Sequence, residues 1–160
     1  MPTSDVYTGR ATITLAGTSA VPVQSLYGTA AKRLWLTGVR VKVGVTGAVA
    51  GNDILFQLAR CSGSSTGTGL ASGSAHDYSA PASLGQACST WSTPPTVTSI
   101  LAEWALPQTT GSMWEEFPPT GDEWGVPAIA NASANAGVHL FATASVATST
   151  PVIADFIWSE

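Results

Sequence analysis

The sequence predicts an all-β protein, a single antiparallel β-sandwich, jelly-roll-like, with about eight strands. Three observations carry this expectation. Apolar residues alternate with polar ones in six separate runs, the signature of half-buried strands. Clusters of Gly, Ser, Thr, Asn and Pro divide those runs. No stretch combines helical periodicity with capping residues. At 160 residues the chain fits one domain, 1–160. A chain of this length buries about 70% of its unfolded surface, so it needs neither metal nor disulfide to fold.

In chain order, Ala11, Ile13 and Leu15 alternate with Thr12 and Thr14, and Val21–Tyr27 and Leu34–Leu36 are shorter candidates. Val39, Val41, Val43 and Val45 against Arg40, Lys42 and Gly44 form the cleanest amphipathic strand. Ile54, Phe56 and Leu58 follow, and flanking glycines favour a strand over a short helix at 53–60. The segment 61–95 breaks the pattern and is expected as a long Gly/Ser/Thr-rich loop, of the kind that is functional or mobile or that orders against a neighbouring subunit. Strand periodicity returns with Ile100, Ala102, Trp104 and Leu106, with Glu103 on the other face, and then with Met113–Phe117. Val138, Leu140, Ala142 and Ala144 give the next strand. Val152, Ala154, Phe156 and Trp158, alternating with Ile153, Asp155 and Ile157, give the last. These registers place Trp104 and Trp158 in the core.

Charged residues make up only 10% of the chain, but 44% is hydrophobic, which excludes a disordered chain and a coiled coil. Met-Pro-Thr-Ser-Asp at the N-terminus lacks the regions of a signal peptide, and no apolar run approaches about 18 residues. A soluble protein with no membrane partner, made without an export signal, is the expectation. All six cations lie in the first 60 residues, which carry a net +4, whereas residues 61–160 carry −8. Either the molecule is electrically polar and suited to docking, or interleaved strands mix the two halves in space. Six scattered cations in a chain of net charge −4 make nucleic acid a poor partner.

The residues that could do chemistry are few. Cys61 and Cys88 bracket the long loop; they could close it as a disulfide or remain free and buried, and two cysteines alone hold no zinc. His76-Asp77 lies in a serine-rich loop without a G-x-S-x-G elbow, and His139 reads as a strand surface residue. Glu115, Glu116, Asp122 and Glu123 cluster with Trp114 and Trp124 around a proline-stiffened segment. That segment either presents anionic and aromatic groups to a partner or is a solvated corner with its tryptophans tucked into the sandwich end. No catalytic residue, cofactor or metal is expected. Six tryptophans also raise the possibility of a sugar-stacking face, for which a coplanar exposed pair would be the sign.

The layout of a Thr-rich first strand, basic outward residues over Leu34–Val45, a Gly/Ser/Thr loop after Arg60, Trp114-Glu-Glu-Phe-Pro-Pro119, the Gly125-Val-Pro127 turn and a terminal aromatic-acidic strand (Asp155–Glu160) resembles the decoration or cement proteins of tailed bacteriophages. Residues 112–160 carry the likeness most specifically. The resemblance implies a non-enzymatic virion protein on the outer capsid surface, made in the host cytoplasm. Its implied partners are the major capsid protein and itself, as a homotrimer. Lys32, Arg33, Arg40 and Lys42 are then candidates for contact with an acidic capsid surface. Trp114, Glu115, Glu116, Asp122, Glu123 and Trp124, with loop 61–95, are candidates for subunit contacts or outward display. A tail- or fibre-associated virion protein and a carbohydrate-binding module are the alternatives.

Overall fold

The computed structural model describes residues 5–27, 34–44, 52–62, 67–68, 71–77, 79–88, 90–91, 95–108, 111–117, 124–126, 137–147 and 149–160. Eight principal strands build two antiparallel sheets: β1 (Val6–Leu15), β2 (Val21–Tyr27), β3 (Leu34–Val43), β4 (Asp53–Ser62), β10 (Thr96–Pro107), β11 (Met113–Glu116), β13 (Val138–Ala144) and β14 (Thr150–Ser159). One sheet runs β11-β3-β14-β1 and the other β10-β4-β13-β2. The pairs β1/β14, β2/β13, β3/β11 and β4/β10 are nested, so the chain is one long double strand rolled into a sandwich. This is the jelly-roll topology that the alternation predicts.

The strand count exceeds the expected eight, because short strands extend the two sheets and another two short strands pair with each other in a small sheet of their own. The segment 61–95, expected as a loop, contributes β5 (Gly67–Thr68), β6 (Ala71–Ser72), β7 (Ser74–Ala75), β8 (Gln86–Cys88) and β9 (Thr90–Trp91). Strand β7 adds to β1, and β8 and β6 widen the other sheet beyond β2. A further short strand, β12 (Trp124–Val126), pairs with β3 beside β11. Two- and three-residue strands leave no periodicity to read, and their polarity hides that their backbone groups are paired.

Period-two alternation gives each principal strand a core face. Leu34, Leu36, Val39, Val41 and Val43 from β3 meet Ile54, Phe56 and Leu58 from β4 and Val152, Ala154, Phe156 and Trp158 from β14. The two sequence runs 34–36 and 39–43 are one strand joined through a β-bulge, where Gly38 faces Ile157 and Leu36 already faces Trp158. The extra residue keeps both Leu36 and Val39 inward. Gly38 lies under Phe117: a Cβ there would sit 2.5 Å from the ring.

Trp158 is the largest fully buried side chain and stacks on Tyr7, centroids 6.2 Å apart. Three glycines make room for its indole, since a Cβ on Gly73, Gly85 or Gly9 would come within 2.3, 2.5 or 3.1 Å of it. The carboxylate of Glu160 then fastens the loop over this region. It accepts hydrogen bonds from Ser83 Oγ (2.6 Å), Gly85 N (2.8 Å), Leu84 N (2.9 Å) and Trp158 Nε1 (3.2 Å). These donors outweigh the effect of its burial and hold the Glu160 carboxyl below its ordinary range.

Candidate docking surface

The outer face of the β11-β3-β14-β1 sheet carries a row of four charges, one per strand. In register, Glu115 faces Arg40, Arg40 faces Asp155, and Asp155 faces Arg10, so the signs alternate across the sheet. Arg10 binds Asp155 through both arms, Nε to Oδ1 at 2.7 Å and Nη2 to Oδ2 at 2.9 Å. Such a fork-on-fork pair is the stronger kind of ion pair. The Asp155 side chain is 4% exposed whereas that of Arg10 is 66% exposed, so the carboxylate is a floor and the guanidinium a rim. Arg40 Nε donates to Glu115 Oε1. One step along the strands, Thr12, Ile153, Lys42 and Met113 form the next row. Arg10, Arg40, Lys42, Met113, Ile153 and Asp155 together line a shallow depression of about 180 Å³. Of its apolar lining, Met113 is 57% accessible, and elsewhere on this sheet Phe117, over Gly38, and Trp35 are also exposed.

These pairs join cations from the first 60 residues to acids from the last 100. Interleaved strands therefore mix the charges, and the electrically polar molecule is not realised among the described residues. The physical reason is that the nested double strand lays the C-terminal β14 between β1 and β3. Of the sequence-predicted residues, Arg40, Lys42 and Glu115 come together on this face. Trp114 does not project outward: it lies opposite Val41 and stacks on Trp104 from β10 at 3.9 Å, with Phe56 behind it at 5.8 Å. This aromatic pile plugs the gap between β10 and β11. Glu116, opposite Val39, shares the face of Trp114 and is half-buried. Trp124 pairs through its backbone with Leu36, its side chain lying outside the described residues, as do Lys32, Arg33, Asp122 and Glu123. Arg10, Asp155, Met113 and Ile153 were not singled out by sequence. Alternation shows that Arg10 and Asp155 point outward, but only the β1/β14 register shows that they meet.

The other sheet corrects one expectation. His139 is not a surface residue but fully buried, on the outer side of β13 with Ser25, Tyr27 and Phe141. Alternation assigns a face, and it cannot tell whether that face is covered. Ser25 Oγ and His139 Nδ1 are 2.7 Å apart, and His139 Nε2 has no partner. Burial pushes the imidazole pKa down to about 4. Both side chains are sealed from solvent, so a substrate could reach Ser25 only after the covering groups moved. Asp77 is not oriented on His76. Its carboxylate accepts from Ser79 N and Ser79 Oγ, both at 2.8 Å, whereas His76 meets Thr8 Oγ1. No cluster of three metal-ligating side chains occurs among the described residues.

Cys61 and Cys88 are both buried and neither forms a disulfide; Cys88 Sγ donates to Thr90 O at 2.8 Å. Strands β13 and β2 lie between β4 and β8, a separation of roughly 14 Å at about 4.8 Å per strand step, whereas a disulfide needs Cα atoms within about 7 Å. The loop-closing disulfide is thereby excluded. Burial pushes the Cys61 thiol pKa up to about 12, which keeps it protonated and inert. Native protein at pH 8 is expected to react with a thiol reagent such as DTNB at least a hundredfold more slowly than protein in guanidinium; rapid native labelling of Cys61 would contradict its burial.

No protein-family model matches the chain, and no curated protein matches it. Among solved structures, it is similar to a chain of Desmodium yellow mottle tymovirus, with 8% identity and a TM-score of 0.36, over 96% of this chain and 84% of that one. It is also similar to a family 11 carbohydrate-binding module from Clostridium thermocellum in complex with a β-1,3-1,4-mixed-linked tetrasaccharide, with 12% identity and a TM-score of 0.27, over 99% of this chain and 89% of that one.

Proposed function

We propose that this protein is a non-enzymatic virion component that binds the outer surface of a tailed-phage capsid, contacting the major capsid protein and stabilising the shell. The observation that carries the reading is the depression lined by Arg10, Arg40 and Lys42 together with exposed Met113. Asp155 on its floor is already satisfied by Arg10. Arg40 is likewise engaged by Glu115, so an acidic side chain entering from a partner meets the ammonium of Lys42 first, with the apolar surface of Met113 and Ile153 beside it. Such a combination suits a protein interface, where apolar contact supplies affinity and charge sets orientation and rate. Binding only to the assembled shell would stabilise it by mass action, with no catalysis involved. The sugar-binding alternative gains no support from the described tryptophans, because their coplanar pair, Trp104 and Trp114, closes the gap between the sheet edges.

The test is attachment of the purified protein to particles stripped of it. Double charge reversal, Arg40→Glu with Lys42→Glu, is expected to weaken attachment at least tenfold at low salt and to flatten its salt dependence. A second variant exchanging Arg40 and Glu115 keeps the local ion pair and controls for folding. Unchanged attachment of the double reversal would sink the assignment. Copy number by quantitative mass spectrometry separates head from tail: parity in order of magnitude with the major shell protein supports decoration, and a handful of copies moves the protein to the tail.

A further inference from the structure

Sheet edges expose unpaired backbone groups, and proteins that stay monomeric blunt them with short strands, lysines or cover. In the two main sheets three of the four edges end in short strands, although β7 covers only Tyr7 and Thr8 and no described strand lies beyond residues 9–15 of β1. β7 and β6 have two residues each, and the remaining edge is divided between β11 with four and β12 with three. The fourth edge is β10, twelve residues long, with β4 as its neighbour and no strand outside it among the described residues. Its first five residues are all exposed, Val97 at 44% and Ile100 at 51%. The strand has no Lys or Arg, no proline before Pro107, and a single charge, Glu103, which is hydrogen-bonded back to Gln57 on β4 at 2.6 Å.

We infer that β10 is a self-association edge, and that a second copy of this chain pairs with it antiparallel about a two-fold axis, joining two sandwiches through one continuous sheet. Three features favour a second copy. An antiparallel pair about a two-fold uses the same edge twice, so the interface needs no second complementary surface. The edge is almost uncharged in a chain whose residues 61–160 carry eight acids and no cation, so two copies can approach here without repulsion. The single carboxylate, Glu103, is already hydrogen-bonded to Gln57 of its own β4, so it needs no partner across the interface. The area is also adequate. A strand of this length spans roughly 40 Å, and an edge with its flanking side chains about 15–20 Å deep buries on the order of 600–800 Å² per copy, close to that of a standard interface. The register shifts at Val97/Ser99 and Ile100/Ala102 twist the first half of β10, and Ala102–Pro107 stays in unbroken register with β4. The inference stands whether or not the protein is a virion component, and it replaces the three-fold assembly that the resemblance implies with a two-fold one.

Sedimentation equilibrium of the full chain from about 1 to 100 μM tests it. The wild type is expected to fit a monomer–dimer equilibrium. Val97→Lys with Ile100→Lys, both at exposed positions, is expected to raise the dimer dissociation constant at least tenfold with an unchanged far-UV circular dichroism spectrum. Ser74→Lys, on the two-residue edge strand β7, is expected to leave the equilibrium where it was. A wild type that stays monomeric, a wild type that forms trimers, or a lysine pair that still dimerises as tightly as wild type would each overturn the inference.

Discussion

Replacing Trp158 by alanine is expected to cost about 3–5 kcal/mol, in line with removal of a large aromatic side chain from a closed core. The indole is fully buried, stacks on Tyr7, and donates Nε1–H to Glu160. Gly9, Gly73 and Gly85 present bare backbone to the indole, so on their side no side chain is there to relax into the hole. The loss is a large share of the roughly 5–15 kcal/mol that holds a domain together, and it corresponds to a melting temperature lower by roughly 10–15 °C. A double-mutant cycle sharpens the test. Gly73→Ala in the native background places a Cβ 2.3 Å from the indole and should destabilise, whereas in the Trp158→Ala background the same methyl fills space and should be neutral or favourable. Additive costs would show that the glycines are not there for the tryptophan.

The second large effect is acid sensitivity through His139. Its pKa is about 4 in the folded protein, because burial disfavours the imidazolium, against an ordinary 6.5 in the unfolded chain. The unfolded chain therefore binds a proton first as pH falls. Stability from this group is fully present above about pH 6.5 and drains away between 6.5 and 4, by about 3 kcal/mol in all. Urea unfolding at several pH values should show this decline in the wild type. In His139→Asn, which keeps a polar atom near Ser25 Oγ and does not titrate in this range, the decline should largely vanish. Glu160, held below its ordinary range by Ser83, Leu84, Gly85 and Trp158, adds its own loss at still lower pH in both proteins. Identical pH slopes above pH 4 in the two proteins would show that the imidazole is not the group responsible.

The sequence by itself determined what repeats with period two. The core faces of β1, β3, β4, β13 and β14, the inward Trp158 and the outward Arg40, Lys42, Arg10 and Asp155 are readable from alternation, because a strand commits each side chain to one face. Ile100, whose alternation with Ala102, Trp104 and Leu106 places it on their face, is instead 51% exposed, because the register shift between Ile100 and Ala102 turns it to the other side. The class of fold follows from the number of such strands and the absence of helical patterning. Everything that depends on which strand lies beside which was decided by the tertiary structure. Arg10 and Asp155 are 145 positions apart and meet because β14 pairs with β1 along its whole length. Cations of the first 60 residues meet acids of the last 100 for the same reason. Burial of His139 depends on what lies over the outer face of β13, and the impossibility of a Cys61–Cys88 disulfide depends on the two strands inserted between them. Alternation is a local property of the chain, whereas register and cover are long-range, and a candidate docking surface is made of the latter.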